Sequence, residues 1–262
     1  MLSKMKYLIV SGDSNTTDEF DSISHPDWDF SYKKWPELLA EKLGMKVINV
    51  AGSGMGNEFI YTTIRNEIVK IEDKSQIGLV IAAWSQAPRK DFKTKKLNNF
   101  GKPWSSLRYD THGNLPWWVE RTLGFYLDFQ ILCERYNIPY VQFQMIELFE
   151  HYFAGYPSQT EIHHGADPNE QRKYPGNEKK DEELILRSIR EYEKKLDTSK
   201  FMGWPPVKKL EGWRFKDRLE LWDDKNSPRR VSILDNHPNE LGHIAVCDEL
   251  HMLLQKYNIC KT

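Results

Sequence analysis

Two short polar motifs near opposite ends of the chain carry the side chains best suited to chemistry. Ser14 follows the apolar run 7–10 in a Gly-Asp-Ser-Asn motif, and Asp235 and His237 stand just before the last helical pattern. A serine hydroxyl is a weak nucleophile until a positioned base accepts its proton, and a histidine oriented by an aspartate is such a base. Sequence separation is no obstacle, because a triad is defined by geometry in the folded chain. The motifs therefore predict nucleophilic attack by Ser14, with His237 as the base and Asp235 orienting it.

The segments that must position these residues alternate between strand and helix patterns. Strands that are apolar throughout and separated by helices indicate a parallel sheet covered on both faces, which is a doubly wound α/β architecture of three layers. The predicted strands are 6–11, 46–51, 77–83, 139–145 and a short fifth strand at 230–234. The predicted helices are 35–43, 58–71, 123–136, 180–196 and 243–256.

The edge of the sheet at the carboxyl ends of the strands is where such folds place their sites, near a topological switch point. Three polar or Gly-rich segments follow predicted strands at that edge, namely 12–16, 52–57 and 84–86. Glycine in the second segment lets the backbone approach a substrate closely. We therefore expect the substrate at this edge, in contact with Asn57 and Trp84.

Two stretches, about 87–118 and 150–229, interrupt the alternation. The first is basic and then rich in Trp, Gly and Pro, and the second is long and polar. Neither has the apolar content of an independent core, which predicts a single domain over 1–262 with two insertions that form walls or a lid over the catalytic edge. Most tryptophans fall in or beside these insertions: Trp104, Trp117, Trp118, Trp204, Trp213 and Trp222.

The tryptophan rings of the insertions admit two interpretations, which stay open at this point. Aromatic faces stack on sugar rings and line acyl pockets, and we expect Trp117 to contact the substrate in this way. Alternatively, insertions with little aliphatic content use tryptophan to build small cores of their own.

Composition narrows the classes of partner. The 262 residues include 37 Lys plus Arg and 38 Asp plus Glu, and the net charge of −1 gives no reason to expect nucleic acid. The three cysteines are widely spaced, odd in number and without metal-ligand spacing, so we expect reduced thiols in a reducing compartment.

Targeting and cofactor motifs are not found in the sequence. There is no apolar leader and no apolar run as long as a membrane span, so we expect a cytoplasmic protein without membrane insertion. His163, His164 and Asp167 have a spacing that suits no standard metal site. The glycines of 52–56 lack the spacing of a phosphate-binding loop, and we expect neither a metal nor a cofactor. The oligomeric state is left open.

Three short blocks, read in order, resemble the SGNH (GDSL-type) hydrolases, a family of esterases and lipases on a flavodoxin-like sheet. That family has a Gly-Asp-Ser block after the first strand, a glycine after the second, an asparagine after the third and an Asp/His block before the last helix. Here Ser14 lies in the first block, Gly54 matches the glycine, and Asp235 and His237 form the last block. Together the blocks span nearly the whole chain.

Two departures from the family pattern are visible. The last block reads Asp-x-His instead of Asp-x-x-His, so a shorter loop must present Asp235 to the imidazole. The third block has Trp84-Ser85-Gln86 where the family has an asparagine. Either Ser85 or Gln86 would replace its hydrogen bond, or the oxyanion hole would rely more on backbone amides.

The resemblance implies a serine esterase that works through an acyl-enzyme. Its oxyanion hole would comprise the N–H groups of Ser14 and Gly54 together with Ser85 or Gln86. The expected substrate is a small ester, such as an O-acetyl group on a carbohydrate. Two alternatives remain: a broad esterase or lysophospholipase-like lipase, and a non-catalytic SGNH-like module that binds glycans or serves a structural role.

Overall fold

The computed structural model describes residues 5–95, 103–107, 110, 112–149, 176–221, 228–232 and 234–259. Within these ranges the main sheet has five strands, all parallel, in the order β2-β1-β3-β6-β7. A separate antiparallel hairpin pairs β4 with β5. The strands are β1 (Tyr7–Ser11), β2 (Lys46–Asn49), β3 (Ile77–Trp84), β4 (Lys90–Lys93), β5 (Trp104–Leu107), β6 (Tyr140–Gln144) and β7 (Phe201–Met202).

Helices cover both faces of the main sheet. One apolar cluster joins α2, α3 and α4 to one face, and a second joins α1 and α6 to the other. The helices are α1 (Trp35–Lys42), α2 (Asn57–Lys70), α3 (Leu115–Arg135), α4 (Glu178–Glu193), α5 (Phe215–Leu221) and α6 (Glu240–Lys256). This confirms the predicted three-layer α/β fold with five parallel strands. None of the helices in the described ranges is both long and apolar enough to cross a bilayer.

Strand order places the carboxyl ends of β1 and β3 side by side at the switch point of the sheet. Leaving out the hairpin strands, the order is 2-1-3-4-5, as in flavodoxin-like folds. Ser11 lies opposite Ala82 in the register of β1 and β3, so the segments that follow both strands emerge together. All eight residues of β3 are buried, which fits an apolar central strand.

Helix α3 begins eight residues earlier than the predicted start at 123. Asn114 caps the helix by accepting a hydrogen bond from the Trp117 N–H (3.1 Å), and Pro116 is well tolerated in a first turn. Trp118 is buried in the core while Trp117 remains half exposed. The end of the first predicted insertion is therefore the first turn of a core helix.

The fifth strand is not at 230–234, and that prediction is wrong. Phe201 and Met202 form it, pairing with Gln142 and Phe143 of β6. Arg230 makes only an isolated antiparallel bridge with Pro238. Two residues are too few to show a strand period. By contrast, the sequence 230–234 has a strand-like composition, but the described residues around it belong to the tight loop that carries Asp235 and His237.

Part of the second predicted insertion belongs to the main body of the fold. Helix α4 buries Ile185 and Ile189 and packs against α3, and β7 extends the sheet. The assignment of the remaining insertion residues to walls or a lid stays a prediction. Trp222, His163, His164 and Asp167 lie outside the described residues.

A buried histidine joins the first and last helices. The Nδ1 atom of His243 accepts the N–H of Trp35, the first residue of α1, at 3.2 Å. Burial, with smaller contributions from the charges of Lys34 and His237, lowers the pKa of His243 to about 3. The ring is therefore neutral in the native state at neutral pH, as its acceptor role requires.

We expect His243 to make stability depend on pH below about 6.5, the ordinary pKa of histidine in an unfolded chain. As the pH falls below that value, the histidine binds a proton in the unfolded state but not in the native state. The free energy of unfolding therefore decreases by up to about 1.4 kcal/mol per pH unit. Urea unfolding at pH 7.5, 6.0 and 5.0 measures this slope. His243→Asn should flatten it, and an unchanged slope in that variant would assign it to other groups.

Candidate active site

Ser14, His237 and Asp235 come together at the carboxyl edge of the sheet. The Ser14 Oγ lies 2.8 Å from the His237 Nε2, and the His237 Nδ1 lies 2.5 Å from an Asp235 carboxylate oxygen. Each ring nitrogen thus faces one partner, so that Nδ1–H donates to Asp235 and Nε2 is left to accept the serine proton. This is the arrangement required of a nucleophile, a general base and the carboxylate that orients it.

A tight loop allows the Asp235 carboxylate to reach the His237 ring despite the short Asp-x-His spacing. The carboxylate of Asp235 accepts the backbone N–H of His237 at 3.0 Å as well as its ring N–H. The N–H of Val231 donates to the His237 carbonyl (2.9 Å), and the N–H of Ser232 donates to the Asp235 carbonyl (3.0 Å). These contacts close the loop on itself. The Asp235 side chain can therefore reach the imidazole of His237, which lies only two residues further along the chain.

The Asp235 carboxylate is buried yet remains ionised. Burial alone would raise its pKa, but hydrogen bonds from His237 and from the Ser22 hydroxyl, together with the charge of His237, lower it to about 2. Both carboxylate oxygens therefore have a donor, one from His237 and the other from Ser22. A negative charge held at this position would stabilise an imidazolium on His237 if the ring accepted the Ser14 proton.

Ser22 and Phe20 belong to a segment, residues 18–34, that we call the strap. The strap forms most of the connection between β1 and α1. It lies against the loop that carries Asp235 and His237, which we call the catalytic loop. The Phe20 ring packs on the His237 ring with a centroid separation of 4.1 Å, and Phe30 packs edge-on against Phe20 at 5.1 Å. The strap therefore contacts two of the three triad residues, and it limits the rotation of the imidazole.

Removing the Ser22 hydroxyl should weaken catalysis without touching the nucleophile. Ser22→Ala takes away the donor to one of the two Asp235 carboxylate oxygens, which raises the pKa of that carboxylate and loosens its hold on His237. We expect kcat to fall about tenfold, the equivalent of one hydrogen bond to a charged group. Steady-state kinetics over pH 4–8 measures this effect. Ser24→Ala, a serine two positions along the strap, is the matched control, and equal losses in both variants would deny Ser22 a specific role.

The turn that carries Ser14 is fixed by Asp13. One carboxylate oxygen of this fully buried residue accepts the backbone and side-chain N–H groups of Asn15, both at 3.0 Å. The other oxygen accepts the Ser85 hydroxyl at 3.2 Å and lies 3.7 Å from the Arg89 guanidinium. Asp13 therefore ties the loops after β1 and β3 together.

Two backbone N–H groups are available to a substrate oxygen. In the described part of the chain, neither the Ser14 N–H nor the Gly54 N–H has an acceptor. Gly54 has φ +73°, a conformation that favours glycine. The N–H of Gly52 donates to the Gly12 carbonyl at 3.1 Å, which fastens the Gly54 loop to the Ser14 loop. The predicted oxyanion donors thus lie on two adjoining loops.

Ser85 has no donor left for a substrate oxygen. The Ser85 N–H donates to the Asn57 side chain at 2.8 Å, and its hydroxyl donates to Asp13. Gln86, the next residue along the chain, is also buried and has an interaction of its own within the protein. The contribution of the Gln86 side chain to an oxyanion hole therefore stays a prediction.

The three predicted substrate contacts have different surroundings. Instead of facing a substrate, the Trp84 side chain is fully buried, and its Nε1–H donates to Gln142 at 2.9 Å. Asn57 is also buried, and its side-chain N–H groups donate to the Ser85 carbonyl (3.1 Å) and the Thr122 hydroxyl (3.2 Å). Both support the loop after β3 from within. The Trp117 side chain is 53% exposed, and its contact with a substrate stays a prediction.

The first insertion braces the Gly54 loop. Asp91 on β4 is buried, and its carboxylate accepts the N–H groups of Gly56 (2.7 Å) and Phe59 (2.9 Å) at the start of α2. A carboxylate suits this position because of the positive end of the helix dipole. Arg89 donates to the Met55 carbonyl at 2.8 Å. These contacts hold the glycine loop between the insertion and the Ser14 loop.

Sequence reasoning missed Ser22, Phe20 and Asp91, which support the triad and the glycine loop. One available signal was the length of the connection between β1 and α1, because long connections without regular structure inside a compact domain are usually functional. Nothing in the sequence pairs Asp91 with the first turn of α2, since the contact joins an insertion to a helix that precedes it.

Comparison with known proteins finds similarity in structure only. No protein-family model and no curated protein matches the sequence. Solved structures similar to this chain include several GDSL/SGNH hydrolases. One, from Desulfitobacterium hafniense DCB-2, is described as a candidate lipolytic protein of the G-D-S-L family (12% identity, TM-score 0.46, covering 95% of this chain and 99% of that one). Another is the psychrotrophic esterase EstA from Pseudoalteromonas sp. (12% identity, TM-score 0.49, covering 96% and 98%).

A third similar structure is an enzyme of carbohydrate esterase family 2 with a carbohydrate-binding domain, from Corynascus thermopiles (Myceliophthora fergusii). It is 15% identical, with a TM-score of 0.45, and the match covers 97% of this chain and 67% of that one. Likenesses of this degree do not assign an activity, so the functional argument rests on the side chains of the site.

Proposed function

We propose that this protein is a serine esterase that hydrolyses small esters through an acyl-enzyme. The observation that carries the proposal is the continuous hydrogen-bonded chain from Ser14 through His237 to Asp235. A binding or structural module has no need of an imidazole aligned between a serine hydroxyl and an ionised carboxylate. The geometry therefore favours catalysis over the non-catalytic alternative.

The first half of the proposed reaction acylates Ser14. His237 Nε2 accepts the hydroxyl proton as Oγ bonds to the ester carbonyl carbon, and the carbonyl oxygen takes up the negative charge. The N–H groups of Ser14 and Gly54, with the side chain of Gln86, would stabilise that oxyanion. When the intermediate collapses, the bond to the alcohol oxygen breaks and His237 gives its proton to the departing alcohol.

The second half regenerates the enzyme with water. His237 accepts a proton from a water molecule whose oxygen bonds to the acyl carbon, and a second oxyanion forms in the same place. Collapse breaks the bond to Ser14 Oγ, which regains its proton from His237, and the carboxylic acid is released. Neither half requires a cofactor, because the proton is exchanged between His237 and the reacting oxygens alone.

Gln86 is expected to contribute to kcat in this scheme. Removing one oxyanion donor typically costs about 10²–10³ in kcat, so Gln86→Ala should lower kcat for p-nitrophenyl acetate by about 10² with little change in KM. Gln86→Asn keeps a carboxamide one methylene shorter and should recover part of the loss. If Gln86→Ala is as active as the wild type, the oxyanion hole consists of backbone amides.

The acyl group is proposed to be small, and the alcohol is proposed to be part of a carbohydrate. Exposed aromatic faces near polar side chains support a sugar more than a lipid, as the half-exposed Trp28 on the strap and Trp117 illustrate. A lysophospholipase-like lipase is the alternative. Initial rates with p-nitrophenyl acetate, butyrate and octanoate separate the two: activity that peaks at acetate supports the proposal, and activity that rises with chain length contradicts it.

A further inference from the structure

A cleft of about 480 Å³ opens between the strap and the start of α6, and the mechanism above does not use it. Its volume lies in the range of small-molecule sites. Trp28, Asp29 and Tyr32 line the cleft from the strap, and Glu240 lines it from the helix. It is thus formed by two segments that meet only in the folded chain.

The walls of the cleft are fastened to the catalytic loop. The Tyr32 hydroxyl donates to the carbonyl of Pro238 at 3.3 Å, and Pro238 directly follows His237. In the middle of the strap, the His25 Nε2 lies 2.6 Å from the Ser232 hydroxyl, and the His25 ring packs edge-on against Trp28 at 6.1 Å. A ligand in the cleft therefore lies beside the loop that carries the general base.

The groups offered to a ligand are mostly hydrogen-bond acceptors around an aromatic face. One Asp29 carboxylate oxygen accepts the Ser31 N–H at 2.8 Å, and the Glu240 carboxylate has no hydrogen-bond partner in the described part of the chain. The Trp28 side chain is 43% exposed, and its indole N–H has no acceptor within the same ranges. A ring that carries several hydroxyl groups matches this combination, since it stacks on the indole while its hydroxyls donate to the carboxylates.

The charges that line the cleft disfavour an anion, because it would face the carboxylates of Asp29 and Glu240. The buried ammonium of Lys34 lies 3.8 Å from the centre of the Tyr32 ring and donates to the Phe30 carbonyl at 2.6 Å, and it does not line the cleft. A polyhydroxylated ring is neutral and meets no such repulsion.

We propose that this cleft is a subsite for one sugar ring in the alcohol portion of an acetylated saccharide. This inference rests on the proposed esterase function and adds to it the position at which the leaving alcohol is recognised. In this arrangement the acetyl group reaches Ser14 while a neighbouring sugar stacks on Trp28.

The test measures binding separately from turnover. Cellobiose that carries one O-acetyl group, and therefore keeps free hydroxyls on both rings, is titrated calorimetrically into Ser14→Ala and into Ser14→Ala combined with Trp28→Ala. Loss of one aromatic stacking contact should weaken binding about tenfold, and Trp28→Phe should restore most of it. Tyr257→Ala, an exposed aromatic at the far end of α6, is the matched control and should bind like the parent. No binding to the parent, or binding that is indifferent to Trp28, overturns the subsite.

Two further comparisons distinguish the possible failures. In the otherwise wild-type enzyme, Trp28→Ala should raise KM for acetylated cellobiose about tenfold and leave kcat/KM for p-nitrophenyl acetate within about twofold. Equal effects on both esters would mean that Trp28 acts through the strap, which also overturns the subsite. The absence of Ser14-dependent hydrolysis of either ester would contradict the esterase proposal itself.

Discussion

Ser14→Ala is expected to lower kcat for p-nitrophenyl acetate by at least about 10⁴-fold, because the variant has no oxygen with which to form the acyl-enzyme. The fold should persist, since the Ser14 side chain is only partly buried and its one hydrogen bond is to His237. Initial rates give the loss of activity, and circular dichroism with thermal unfolding shows whether the variant is folded.

Ser75→Ala is the matched control for that experiment. Ser75 precedes β3 and lies at the amino edge of the sheet, opposite the site. Its removal should leave kcat unchanged within about twofold, the size expected of a surface substitution. If Ser14→Ala kept more than a tenth of the wild-type activity, the nucleophile would have to be another residue.

Asp235→Asn is expected to lower kcat by about 10³–10⁴-fold while the fold is retained. The amide occupies the same space but cannot stabilise an imidazolium, and it permits the wrong tautomer at His237. Because the pKa of Asp235 is about 2, the carboxylate is ionised throughout pH 5–8 and cannot cause a loss of activity in that range. Rates of the variant and the wild type at pH 5, 6, 7 and 8 measure both effects.

The free energies of unfolding of the wild type and of Asp235→Asn should also differ at low pH. A carboxylate whose pKa is lowered from 3.8 to about 2 stabilises the native state above pH 3.8, and this contribution is lost as the pH falls towards 2. Asp235→Asn should lack it. Asp21→Asn, the same substitution at an exposed strap position, is the control for a general effect of charge removal. A comparable loss of kcat in both variants would contradict the orienting role of Asp235.

The central sheet was predictable because its first four strands are mostly apolar and each is followed by a turn. Those patterns placed β1, β2, β3 and β6 within a residue or two of their observed ends. The fifth strand was not predictable, since Phe201 and Met202 owe their conformation to pairing with β6 and not to a local pattern. The sequence 230–234 has a strand-like composition, but mutual backbone hydrogen bonds between Ser232 and Asp235 form a tight loop there.

The meeting of Ser14, Asp235 and His237 was predictable from residue types, whereas the contacts that support these side chains were not. The sequence shows the elements that position these side chains: Ser14 follows β1, and Asp235 and His237 precede α6. Their meeting at one edge of the sheet follows from the order of those elements. Ser22 contacts Asp235 across 213 positions through an irregular segment, and such a contact leaves no period in the sequence. The same holds for Asp91, because its partners are backbone N–H groups, which cannot be recognised from the types of the residues that carry them.

The most direct test of the central claim is covalent labelling with a fluorophosphonate, followed by mass spectrometry of the intact protein and its peptides. Such a reagent reacts with a serine whose hydroxyl is activated by a neighbouring base and forms a stable adduct in place of the acyl-enzyme. The triad predicts one adduct per chain, on Ser14, and none in His237→Ala. An unlabelled wild-type protein, or an adduct on a different residue, would contradict the assignment of Ser14 as the nucleophile.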